Sequence, residues 1–128
     1  MNSSNRRSLA AVIMVLGVLP ATSGLAHHSM AMFDKERKQQ ITGNLYAVEW
    51  KSPHSWIWIA VEDKKSKGKT EIWGLEGSSP AALMRLGYTK KNLTVGTRVT
   101  ATLYPLKDGR TGGSLVELDF KDGPKLAK

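Results

Sequence analysis

The chain has 128 residues, 19 Lys and Arg against 11 Asp and Glu, a formal net charge of +8, and no cysteine. The lack of cysteine excludes disulfide staples, iron–sulfur clusters, thiol chemistry and cysteine-ligated zinc. The basic balance favours anionic partners without selecting one.

At the amino end, Arg6 and Arg7 precede an apolar run from Leu9 to Leu19, then Pro20, then small residues up to Gly24-Leu25-Ala26. A charged, then apolar, then small-residue order is that of a secretory signal peptide. Residues 1–26 are therefore expected to be removed, with cleavage after Ser23 as the alternative. The apolar run falls short of the about 20 residues that a membrane-spanning helix needs. The mature chain is expected in the periplasm or secreted, and not as an integral membrane protein.

Residues 27–38 have no clear period and read as an arm, leading into one domain at 39–121 with a polar tail at 122–128. From Gln39 the alternation is that of a strand. Ile41, Gly43, Leu45, Ala47 and Glu49 fall on one face, and Gly43 marks a bulge or sharp bend. A second strand runs from His54 to Asp63, with Ile57, Ile59 and Val61 on one face and Trp56, Trp58 and Ala60 on the other. The lysine-rich stretch 64–69 is a solvated hairpin loop. A third strand spans Thr70 to Glu76, with Ile72 and Gly74 opposed to Trp73 and Leu75. A short helix follows, capped by Ser78 or Ser79, with Pro80 in its first turn and Gly87 as its stop. Its Leu83 and Leu86 are expected to face the core. A fourth strand, Thr97 to Tyr104, points Val99, Ala101 and Leu103 inward. Asp108-Gly109 signals a hairpin turn, Gly112-Gly113 reads as further turn, and a fifth strand covers Ser114 to Phe120. Three strands, one short helix and two strands make an all-β domain. Their order is that of a small five-stranded OB-like barrel, whose usual ligand face lies on strands two and three and the adjoining loops.

Several motifs read as a set: His27-His28-Ser29, Phe33-Asp34, Ser52-Pro53-His54-Ser55-Trp56, Trp73, Leu75-Glu76-Gly77, Ser79-Pro80, the Gly96 turn, and Pro105 through Asp108-Gly109-Arg110 to Gly112-Gly113. Together they resemble a family of small exported proteobacterial proteins classed only as a domain of unknown function. The resemblance covers nearly all of residues 27–128 and implies export and a small β-rich domain, but no activity. In that family an Asn more often precedes the Pro-His pair, where this chain has Lys51-Ser52.

Two groups of residues could carry function. The three histidines are His27, His28 and His54. An amino-terminal histidine offers its α-amine and ring nitrogen to one ion, and a further histidine completes a nitrogen set suited to Cu(II). His27 with His54 would make that set, or His28 in second position would chelate through the backbone. Met30 and Met32 follow, and thioethers favour Cu(I). Copper is thus the expected cofactor, and it requires cleavage after Ala26. The second group is Trp56, Trp58 and Trp73, a candidate aromatic face for a small envelope ligand or a protein partner. Nucleic acid is not expected, because the chain looks exported and its lysines sit in loops rather than among the aromatics. No catalytic set is read: there is no Gly-x-Ser-x-Gly elbow, and the carboxylates are spread singly along the strands.

Overall fold

The computed structural model describes residues 30–120. The signal-peptide segment, His27, His28 and the tail beyond Phe120 lie outside the described residues. Five strands are present: β1 (Gln39–Glu49), β2 (Trp56–Glu62), β3 (Thr70–Glu76), β4 (Arg98–Pro105) and β5 (Gly112–Phe120). A helix, α1 (Pro80–Arg85), sits between β3 and β4. The strands close into a barrel in the order β1-β2-β3-β5-β4. Each pairing is antiparallel except that of β3 with β5. This is the expected OB-like barrel.

Period-two alternation builds the interior. Val99, Ala101 and Leu103 of β4 are fully buried, as are Ile57 and Ile59 of β2 and Leu75 of β3. With Leu45, Leu83 and Leu118 they form one core. Burying each large aliphatic side chain is worth about 1.5–3 kcal/mol. That term stabilises the barrel without any covalent staple.

Two expected details of β1 are corrected. The register slips between Leu45 and Ala47, so Tyr46 is the extra residue of a bulge. Beyond it the faces exchange: Val48 pairs with Ile57 on the core side, while Ala47 and Glu49 pair with Trp58 and Trp56 outside. Gly43 is not the bulge. A Cβ there would lie 2.2 Å from the Ala60 carbonyl oxygen, so Gly43 permits close strand approach.

The helix is capped by the Ser79 hydroxyl, which accepts from the Ala82 N–H at 3.3 Å. It ends in a Schellman arrangement: Gly87 takes φ +88°, its N–H bonds to the Met84 carbonyl, and the Tyr88 N–H bonds to that of Leu83. This geometry corrects the expectation for Leu86. The chain leaves the helix before Leu86 can turn inward, and Leu86 stays 46 % exposed. Tyr88 fills the core beside Leu83 instead, as this cap favours. Its hydroxyl donates to the Leu118 carbonyl and accepts from the Leu118 N–H. Burial pushes the Tyr88 phenol above its ordinary value, with the Leu118 bond opposing.

Gly112-Gly113 is not a turn but the start of β5, in parallel register with Gly74 and Leu75 of β3. A Cβ at Gly113 would stand 2.3 Å from the Tyr104 carbonyl oxygen and 2.5 Å from Leu103 Cδ1. Only hydrogen fits where β5 is squeezed between β3 and β4. Overpacking of this kind costs about 1–3 kcal/mol. Gly113→Ala should therefore lower stability by about that amount, read as a drop in the urea midpoint.

Candidate functional site

Two concave sites flank the arm. The first is a groove on the outer face of β2, β3 and β5. Trp56 and Trp58, two residues apart on β2, share this face with their rings 5.9 Å apart and 23° from parallel. Both are half-buried. Trp58 pairs across to Gly74, and a Cβ there would sit 2.6 Å from the Trp58 ring. The missing side chain lets the indole lie down on the sheet. Gly112 stands beside Gly74 in register, so the floor is bare backbone. Met32, Phe33, Leu106, Arg110, Thr111 and Gly113 complete the lining of a cavity of about 190 Å³.

The β4–β5 turn places Arg110. Gly109 takes φ +78°, the Asp108 carboxylate accepts from the Arg110 backbone N–H at 3.1 Å, and it accepts from Arg110 Nε at 2.8 Å. Those bonds, the backbone one foremost, hold the Asp108 carboxyl below its ordinary value. The arm supplies the opposite wall. Lys107 donates its N–H to the Met32 carbonyl, Asp34 donates to that of Pro105, and buried Phe33 bridges to Leu106.

Trp73 is not part of this groove. It pairs with Ile59 on the core side of the sheet and packs against the core. Adjacent residues of a strand face opposite ways, so Trp73 cannot share a face with Gly74, the partner of Trp58. Its indole nitrogen is buried without a hydrogen-bond partner among the described residues.

The second site is a cleft of about 390 Å³ around His54, lined among others by Met30, Glu76, Ser79 and Ser114. Buried Ser55 fixes the approach to β2: its N–H bonds to the Ser78 carbonyl, and its carbonyl accepts from the Gly77 N–H at 2.8 Å. That clamp brings the neighbouring His54 to the end of β3. Its Nδ1 lies 3.3 Å from the Gly77 carbonyl oxygen and 3.3 Å from Glu76 Oε1. The His54 side chain is 46 % exposed and that of Glu76 only 9 %. Among the described residues no three His, Asp or Glu side chains converge as a metal site.

Sequence reasoning found Trp56, Trp58 and His54 but missed Arg110, Glu76, Gly74 and Gly112. The Asp-Gly-Arg turn and the glycine inside the third strand are the available signals for two of these, Arg110 and Gly74.

The family model described as a family of unknown function (DUF6152) matches residues 15–115. The chain belongs to that family. No curated protein matches it in sequence. Among solved structures, it resembles a mitochondrial single-stranded DNA-binding protein of S. cerevisiae, Rim1. The TM-score is 0.51 at 12 % identity, over 66 % of this chain and 93 % of that one. A small single-stranded DNA-binding protein of Streptomyces coelicolor matches at a TM-score of 0.46 and 15 % identity, over 70 % of this chain and 97 % of that one. At such identities the likeness shows the fold alone. The exclusion of nucleic acid is nevertheless corrected, since the Rim1 neighbour on this barrel is a single-stranded DNA-binding protein. That exclusion rested on the expected export and on lysines that sit in loops rather than among the aromatics. Here the cation comes from a distant turn, as Arg110 lines the groove with Trp56 and Trp58.

Gly74 sets the depth of the groove. Gly74→Ala should lift the Trp58 ring off the sheet, changing the near-ultraviolet circular dichroism. The clash is with the edge of a side chain, so the urea midpoint should fall by less than the Gly113→Ala drop.

Proposed function

We propose that the protein is an exported OB-like binding module whose Trp56–Trp58 groove holds a base of single-stranded nucleic acid, with its phosphates toward Arg110. The observation that carries this reading is the half-buried tryptophan pair above a glycine floor, on the face where OB barrels commonly take ligands. Base-on-indole stacking is worth about 1–3 kcal/mol per base and tolerates sequence. Arg110, on the β4–β5 turn, lines the groove beside the stack and shares its positive charge with Asp108. Export rests on the Arg6-to-Ala26 pattern. A titration with a short oligothymidylate, followed by tryptophan emission, tests the binding. Quenching should saturate, and Trp58→Ala should weaken affinity roughly 5- to 150-fold. Arg110→Ala should flatten the salt dependence by a slope of about 0.7. Emission indifferent to the oligonucleotide would sink the reading.

A second reading, copper binding through His27, His28 and His54, is favoured by one observation. Met30, two residues after His28, lines the cleft that contains His54. Exported protein whose mass places His27 first should bind Cu(II) with nitrogen ligation in its EPR spectrum. One extra residue before His27 should weaken that binding. Binding indifferent to the terminus would argue against it.

A further inference from the structure

The tryptophan groove does not end its face of the sheet. Residues opposite one another in an antiparallel pair share a face, and every second residue along a strand returns to it. On the outer side, Trp58 opposite Gly74 is followed by Ala60 opposite Ile72, and then by Glu62 opposite Thr70. Ile72 is 38 % exposed, an open apolar step beside the groove. Thr111 Oγ1 reaches the Ile72 carbonyl oxygen at 3.5 Å, which brings Thr111 and its neighbour Arg110 alongside that step. The face then runs into the β2–β3 hairpin.

The hairpin is a defined turn with its charge at the tip. The Asp63 N–H bonds to the Lys69 carbonyl at 2.9 Å, the Lys69 N–H bonds to that of Ser66 at 3.0 Å, and Gly68 takes φ +82°. The Asp63 carboxylate accepts from the Lys65 backbone N–H at 2.9 Å, so the acid inside the turn is engaged by the turn itself. Lys64, Lys65, Lys67 and Lys69 are all exposed, and none is in an ion pair among the described residues. Glu62 is the one acid of β2 and β3 on the outer face between groove and tip, while Glu71 pairs with Val61 on the other face. Lys64 follows Trp58 by six residues, at most about 20 Å of extended strand. Proteins that hold single strands join a stacking platform to a positively charged track for the backbone, over roughly 4–16 nucleotides per OB fold. The loop lysines stand where such a track would leave the tryptophans.

We propose that the β2–β3 hairpin is the second half of a single-strand interface. A strand stacked at Trp56 and Trp58 passes Arg110 and Ile72 along the outer face, and its phosphates end on the lysines of the tip. This rests on the base-stacking reading of the groove, and it adds the path and the length of the strand that is held. The test titrates the protein with a thymidine dinucleotide, which covers the stack alone, and with an oligothymidylate of roughly eight residues, long enough to reach the tip. The parent should bind the longer strand roughly ten-fold or more tighter, with a steeper salt dependence. Lys64→Ala combined with Lys67→Ala should bind the dinucleotide like the parent, lose most of the gain with length, and lower the salt slope on the longer strand by about 1.4. Lys90→Ala with Lys91→Ala removes the same charge from an exposed loop between α1 and β4, and should leave the gain in place. Circular dichroism confirms that both variants are folded. The inference is overturned, with the groove reading intact, by any of three results: a parent with no gain with length, a hairpin variant that keeps the parent's gain and slope, or a Lys90 and Lys91 variant that loses as much. If neither oligonucleotide alters the parent's tryptophan emission, the groove reading falls and the inference falls with it.

Discussion

Closure of the barrel depends on three residue pairs where β3 and β5 run parallel: Gly74 with Gly112, Leu75 with Gly113, and Glu76 with Ser114. Every other seam is a longer antiparallel ladder. At the short seam β5 must pass close to two neighbours at once, and the glycines there are what the backbone can tolerate. The same three pairs then organise the surface. Gly74 and Gly112 floor the tryptophan groove, Leu75 anchors the core, and Glu76 with Ser114 lines the His54 cleft. One constraint on strand packing therefore sets the positions of both candidate sites.

That economy explains why the architecture was legible in the sequence while its details were not. Alternation over 97–104 and 70–76 reports burial on one face, and the faces of β2, β3 and β4 follow from it. Alternation cannot report an inserted residue. The bulge at Tyr46 reverses the faces of Val48 and Glu49, a shift set by pairing with β2 rather than by local composition. Gly112-Gly113 looks like a turn because glycine is most often read through its backbone freedom. Here it is used for its lack of a side chain, and only the approach of β3 and β4 reveals that. Leu86 has helical spacing from Leu83, but the helix is six residues long and its cap hands the core position to Tyr88.

The candidate sites were legible in the same partial way. Trp56 and Trp58 declare themselves by their spacing of two. Trp73 looks like their companion until the register fixes Gly74, not Trp73, opposite Trp58. Arg110 and Glu76 each meet their functional neighbours across tens of residues, and no local pattern encodes such a pairing. His54 was singled out as one of three histidines, but its partners on β3 come from tertiary closure alone.

The arm joins the two sites into one problem. Met30 lines the His54 cleft, and Met32 and Phe33 line the tryptophan groove. Between them the chain is held by Phe33, buried to 3 % exposure, and by backbone bonds to Pro105 and Lys107. Phe33 is thus a fixed point, with one site's wall on it and the other's a few residues upstream. Ordering a segment has an entropic cost that falls on whichever ligand binds first. A ligand that orders the chain at Met30 would meet that cost for the segment leading into the groove wall. The aromatic groove and the histidine cleft are in this sense two faces of one strap, seated on a barrel whose glycine seam leaves room for both.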